Sequence, residues 1–163
     1  MSRNSELYHL MCHDLPNITY QKRLSYRTSV REVMYLYRLI NREVFNDKLP
    51  KPKIEVLSNC RKYWGYCIAT TYEPKVNKSA CLIKLSDKWY CKQWLIITLA
   101  HEMCHQYQYD IDGLKRLKEG KEPIITHGPS FFKFKKKLAK YNIPLNRSMS
   151  IKKWFLTQNH WKC

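Results

Sequence analysis

Residues 101 to 105 read His-Glu-Met-Cys-His, and this pentapeptide constrains the chain more than any other stretch. Histidines four apart on a helix lie on one face, about 6 Å apart at Cβ, so both imidazoles can reach one metal ion. Glu102 projects beside them, placed to take a proton from a metal-bound water. That is the chemistry behind the H-E-x-x-H pattern of zinc hydrolases. The surroundings fit. Residues 93–108 are expected as a helix in which Trp94, Ile97, Leu99, Ala100, Met103 and Cys104 supply a broad apolar surface. A helix this apolar belongs at the centre of a core, where His and Glu are costly unless something compensates their desolvation. A bound metal does so. The alternative is two satisfied core histidines with a surface glutamate.

The rest of the pattern is helix, small sheet, helix, long loop, helix, which predicts an α+β fold with helices packed on a three-stranded sheet. Residues 1–27 are weakly patterned and are expected as an irregular or partly helical lead-in. Thr28 or Ser29 offers an N-cap, and apolar residues from Val30 to Phe45 recur at helical spacing to about Asn46, with Pro50 and Pro52 as the stop. Strands are expected over 54–57, 63–71 (Gly65 a bulge or turn) and 80–85. Residues 109–126, rich in charge and holding Gly113, Gly120 and Pro123, read as a connection rather than a packed element. Gly128-Pro129 opens a last long helix to about Tyr141, with Phe131, Phe134 and Leu138 on one face. Residues 142–163 form a basic, aromatic tail. The expected domain is 28–141.

At 163 residues one domain suffices for a hydrophobic core. The chain shows neither a run of 18 apolar residues nor a signal-peptide start, so it is expected to be soluble and intracellular, cytoplasmic or nucleic-acid-associated, with no membrane partner. Seven cysteines without a C-x-x-C pair argue against a disulfide framework and against a zinc ribbon. Lys and Arg total 30 against 13 Asp and Glu, a formal charge of +17. Such an excess favours polyanionic partners, nucleic acid foremost.

A catalytic zinc takes three protein ligands and keeps one position open. The metzincin pattern requires Gly at 108 and His at 111; Gln108 and Ile111 exclude it. Glu119 and Glu122 are possible third ligands but sit in a Gly- and Lys-rich loop. His127 is the better candidate, because Gly128-Pro129 fixes the backbone beside it.

The succession Phe45-Asn-Asp-Lys-Leu-Pro, Ile54-Glu-Val-Leu, Gly65, Leu82-Ile-Lys-Leu-Ser, the His-Glu-Met-Cys-His helix and His127-Gly-Pro-Ser-Phe131 resembles the SprT-like (Spartan) metalloproteases over roughly residues 28 to 141. The downstream His-Gly-Pro-x-Phe makes the resemblance much more specific than H-E-x-x-H alone. It implies a zincin-like core, a Zn2+ held by His101, His105 and His127, Glu102 as catalytic acid/base, and DNA-dependent proteolysis of proteins trapped on DNA. Many relatives carry a cysteine-rich zinc ribbon after the protease core. None is visible here, so DNA targeting is expected from the domain's own basic surface or from a partner.

Two stretches are candidates for that surface. Lys133, Lys136, Lys137 and Lys140, with Lys135, lie just after His127. Arg61, Lys62, Tyr63 and Trp64 interleave charge with aromatics, a composition suited to stacking the bases of single-stranded or partly unpaired DNA. The tail segment Lys152-Lys-Trp-Phe155 is similar. Tyr107, Tyr109 or a loop Arg or Lys are candidate oxyanion donors. Two other readings stay open: a zinc peptidase unrelated to DNA, and a nucleic-acid-binding adaptor with a non-catalytic metal site.

Overall fold

The computed structural model describes residues 4–15, 26–58, 63–70, 75–122, 127–148 and 150. Its elements, in chain order, are α1 (Glu6–Cys12), β1 (Tyr26–Arg27), α2 (Val30–Phe45), β2 (Lys53–Leu57), β3 (Gly65–Ala69), β4 (Cys81–Ser86), β5 (Lys88–Trp89), α3 (Lys92–Tyr107), a π-helical turn (Gln108–Asp112), α4 (Gly113–Lys118), α5 (Pro129–Phe132) and α6 (Lys135–Ala139). This is an α+β fold. The main sheet has the order β2-β4-β3, with β2 parallel and β3 antiparallel to β4, so β3 forms one edge; β1 and β5 make a separate two-stranded ribbon. Among the described residues no helix is long and apolar enough to cross a membrane.

Local chemistry explains the limits of α2. Ser29 caps its start, its Oγ accepting from the Glu32 N–H at 3.3 Å, while the Glu32 carboxylate accepts from Tyr26 Oη and Thr28 Oγ1 at 2.5 and 2.7 Å. The prolines are not what stops it. Asn46 and Asp47 take left-handed backbone conformations (φ 53° and 56°), and the Asn41 amide buckles the exit by bonding both the C=O and the N–H of Leu49.

α3 is buried on nearly every side, from Trp94 through Cys104, as a central helix should be. Gly65 lets β3 approach it. A Cβ there would lie 2.6 Å from Leu85 Cδ2, 3.0 Å from the Lys84 carbonyl oxygen and 3.3 Å from Thr98 Cγ2 of α3. Gly65 is therefore neither bulge nor turn; it pairs in register with Leu85 as the first residue of β3. The expected strand over 63–71 is trimmed to Gly65–Ala69.

The core extends past residues 28–141 at both ends. Leu7 and Met11 of α1 are fully buried, as are Ile143 and Leu145 beyond α6. Each such side chain contributes about 1.5–3 kcal/mol before the entropy of ordering is subtracted. Polar ties hold these segments: Gln93 Nε2 donates to the carbonyls of Leu10 and Asp14, and Asn142 Nδ2 to that of Met11.

Two further expectations need correction. Residues 109–122 are not a loose connection: α3 runs on through the π turn into α4. Asp110 is buried there because three donors satisfy its carboxylate, from Ser79 Oγ (2.5 Å), the Ala80 N–H (3.0 Å) and Gln106 Nε2 (3.0 Å). The single long helix over 128–141 is instead α5 and α6, broken at Lys133 and Phe134. At the break Phe134 wedges between Phe45 and Tyr107, and Lys133 reaches the Asp112 carboxylate at 2.9 Å.

Candidate metal centre

α3 delivers His101, Glu102 and His105, and the segment just before α5 delivers His127. Ligand atoms of the three histidines all lie within 4.8 Å of one another. His127 Nε2 is 3.1 Å from His105 Nε2 and 3.4 Å from His101 Nε2, so three nitrogens point at a common centre. Phe131 forms the floor. Fully buried, its ring stands 4.8, 4.4 and 4.8 Å from the rings of His101, His105 and His127.

Burial, neighbouring imidazoles and, for His127, Arg147 push these imidazoles towards the neutral form. Burial, then His105 and His127, push His101 down to about 3, against an opposing backbone contact at Asn146. Burial lowers His105 to about 4, with Gln108 opposing and His127 assisting, and burial and Arg147 lower His127. Neutral imidazoles with inward lone pairs are what a metal needs. Glu102 is 6% exposed, and burial pushes it up to about 7 despite a backbone hydrogen bond from Cys67 of β3. The donor set fits a tetrahedral Zn2+ with one position open. The three histidines and Glu102 line a cleft of about 500 Å³ between β3 and α3, bounded also by Tyr63, Trp64, Tyr66 and Arg147.

Glu119 and Glu122 do not join the centre: Glu119 pairs with Lys121 at the surface, and His127 alone completes a three-ligand cluster among the described residues. Neither candidate oxyanion tyrosine lines the cleft. Tyr107 packs against Phe45 and Phe134, and Tyr109 is buried against Ala80 and Cys81. Arg147 and Tyr66 border the cleft instead. Cys104 faces the core as expected, and burial raises its thiol pKa. Cys67, Cys81 and Cys91 form no disulfide either.

The basic candidates divide. Arg61, Lys62 and the segment from Lys152 to Phe155 lie outside the described residues. Tyr63 is 57% exposed at the cleft mouth, whereas Trp64 stacks on Trp89 (5.2 Å) and edges onto Trp94. Lys136 and Lys140 are exposed; Lys133 is tied to Asp112 and lies 4.1 Å over the Tyr107 ring, and Lys137 reaches Asn46. Sequence reasoning gave Gln108 and Arg147 no role by number, and saw in Phe131 an apolar helix face and the end of the His-Gly-Pro-x-Phe pattern but not the floor of the site. A glutamine or arginine at such positions carries no spacing signal.

No curated protein matches the sequence. The sequence model of the SprT-like family, a family of metalloproteases, matches residues 33–150. That span takes in the histidine cluster, Glu102, the edge strand and the segment after α6, and the chain belongs to the SprT-like family.

Proposed function

We propose that the chain is a zinc-dependent metalloendopeptidase that cleaves proteins bound to DNA. The observation that carries the reading is the convergence of three imidazoles beside a buried carboxylate at the floor of an open cleft. His101, His105 and His127 would hold the zinc in a zincin-like arrangement, and the bound ion would supply Lewis-acid polarisation of a carbonyl and acidification of a water.

Glu102 accepts the water proton and returns it to the leaving amine, roles that suit a carboxyl poised near neutral pH. Residues of β3 hold the substrate. As a sheet edge, this strand offers a row of backbone N–H and C=O groups to an extended peptide. Gly65 keeps that edge close to α3, and the Cys67 N–H ties it to Glu102 itself.

The DNA half of the reading rests on the +17 charge, on exposed Lys136 and Lys140 on the helix after α5, and on the family resemblance. Exposed Tyr63 at the cleft mouth is suited to stacking on an unpaired base. The test is cleavage of a basic protein by zinc-loaded enzyme with and without single-stranded DNA. Glu102→Gln should retain zinc while losing about 10²–10⁴ in rate, and His127→Ala should lose zinc. Near-normal cleavage by Glu102→Gln would refute the assigned role; equal cleavage with and without DNA would leave a peptidase indifferent to DNA.

A further inference from the structure

Gln108 is the first residue of the π turn, three residues after His105, and it is fully buried. Its Oε1 lies 3.0 Å from His105 Nδ1, and its Nε2 donates to Ser130 Oγ at 2.8 Å. One amide thus joins a candidate zinc ligand on α3 to the helix that begins two residues after the third candidate ligand, His127. We propose that Gln108 is a positioning residue: it holds His105 in the Nδ1–H tautomer, with the Nε2 lone pair aimed at the centre, and seats α5 beneath the three histidines. The proposal rests on the zinc reading above.

The hydrogen-bond inventory supports this assignment. With Gln108 Nε2 donating to Ser130 Oγ, its oxygen faces His105, and an oxygen in that place accepts a proton from Nδ1. With Nδ1 protonated, Nε2 is the nitrogen left to bind metal, and it is the one that lies 3.1 Å from His127 Nε2. A second tie runs parallel. Asp112, at the far end of the same turn, holds Lys133 just after α5. The π turn therefore holds α5 at two points, Ser130 within it and Lys133 just after it, and α5 carries Phe131, the floor under all three rings.

Groups that orient a metal-bound histidine are worth about 10–100-fold in metal affinity. Gln108→Leu should therefore bind zinc or cobalt about 10–100-fold more weakly than wild type, measured by chelator competition on folded protein. Gln108→Glu should recover most of that affinity, because a carboxylate oxygen accepts from Nδ1–H and the Ser130 hydroxyl can donate to the other oxygen. A buried glutamine with a merely structural role predicts no such rescue. Metal-free wild type gives an independent readout: nitrogen-15 imidazole spectra should show His105 as the Nδ1–H tautomer, even if Gln108→Leu does not fold. An Nε2–H tautomer overturns the proposal, as does a Gln108→Glu variant no better than Gln108→Leu. Wild type that binds one metal ion no more tightly than Gln108→Leu overturns this proposal alone. Wild type that binds no metal overturns the zinc reading and this proposal with it.

Discussion

Replacing Phe131 with alanine should damage stability and the centre together. The side chain is fully buried and touches all three imidazoles at ring-centroid distances of 4.4 to 4.8 Å. Buried Phe-to-Ala changes cost about 3–5 kcal/mol, from lost transfer energy and from the cavity left behind. In a chain of this size each kcal/mol lowers the melting temperature by about 2–4 °C, so metal-free Phe131→Ala should melt roughly 6–20 °C below wild type. The cavity opens directly under the rings, so the histidines lose the surface that fixes their tilt. Zinc should then bind more weakly to the variant even at temperatures where it is fully folded, and Phe131→Leu should fall between the two. Scanning calorimetry of the metal-free proteins gives the first quantity, and chelator competition at 15 °C the second. A variant that loses the expected stability yet binds zinc as tightly as wild type would show that Phe131 is core packing and not the floor of a metal site. A melting temperature within about 2 °C of wild type would contradict the packing itself.

Gly65→Ala should cost about 1–3 kcal/mol in denaturant unfolding, because the new methyl meets Leu85 at 2.6 Å and the Lys84 backbone at 3.0 Å; an unchanged midpoint would mean the strand–helix approach is looser than described. Stability should fall on the alkaline side: burial and Glu43 raise the Tyr141 phenol to about 12, and burial raises that of Tyr37 further, so the folded state keeps protons that the unfolded chain gives up near pH 10. That stability is present below pH 10 and is lost as pH rises towards 12, and Tyr141→Phe should flatten the decline in a pH series of melts. In salt titrations of single-stranded DNA binding, Lys136→Ala and Lys140→Ala should each lower the log–log slope by about 0.7. Lys133→Ala should change it less, since Asp112 already neutralises that amine; unchanged slopes for Lys136 and Lys140 would move the contact surface off α6.

The parts of this molecule that a sequence displays are those written in spacing. The two helical histidines four apart announced a common face, and Gly128-Pro129 marked a rigid neighbour for His127; the structure brings all three imidazoles together. Helix α2 and the three strands of the main sheet likewise followed from periodicity, with their ends shifted by a few residues. What spacing could not display is compensation at a distance. Asp110 reads as a solvated loop residue until Ser79, Ala80 and Gln106 are seen to satisfy it, and with it the π turn and α4 change from loop to helix. Lys133 and Phe134 read as mid-helix until Asp112, Phe45 and Tyr107 draw them apart.

Those hidden contacts bear on chemistry as well as on fold. The helix that presents His105 continues without a loop into the turn that holds Gln108 and Asp112, and both reach across to α5. A flexible connection after His105 would let His127 approach at many angles, and each loose angle would weaken a site that needs three nitrogens at one centre. Hydrogen bonds from the π turn remove that freedom on one side, and Phe131 removes it from below. Tyr37 and Gln106 anchor the same stretch to α2 and to the Pro50 carbonyl, at 2.7 to 3.1 Å. Cutting the polypeptide between His105 and His127 without disturbing these ties should leave the histidine cluster largely intact, whereas a full-length chain carrying Gln106→Ala and Asp112→Ala should lose metal affinity. Zinc titrations of a chain nicked in its 119–122 surface segment and of that double variant, run side by side, would decide it. A nicked protein that no longer binds zinc, beside a double variant that binds normally, would mean that chain connectivity, and not the packed turn, places His127.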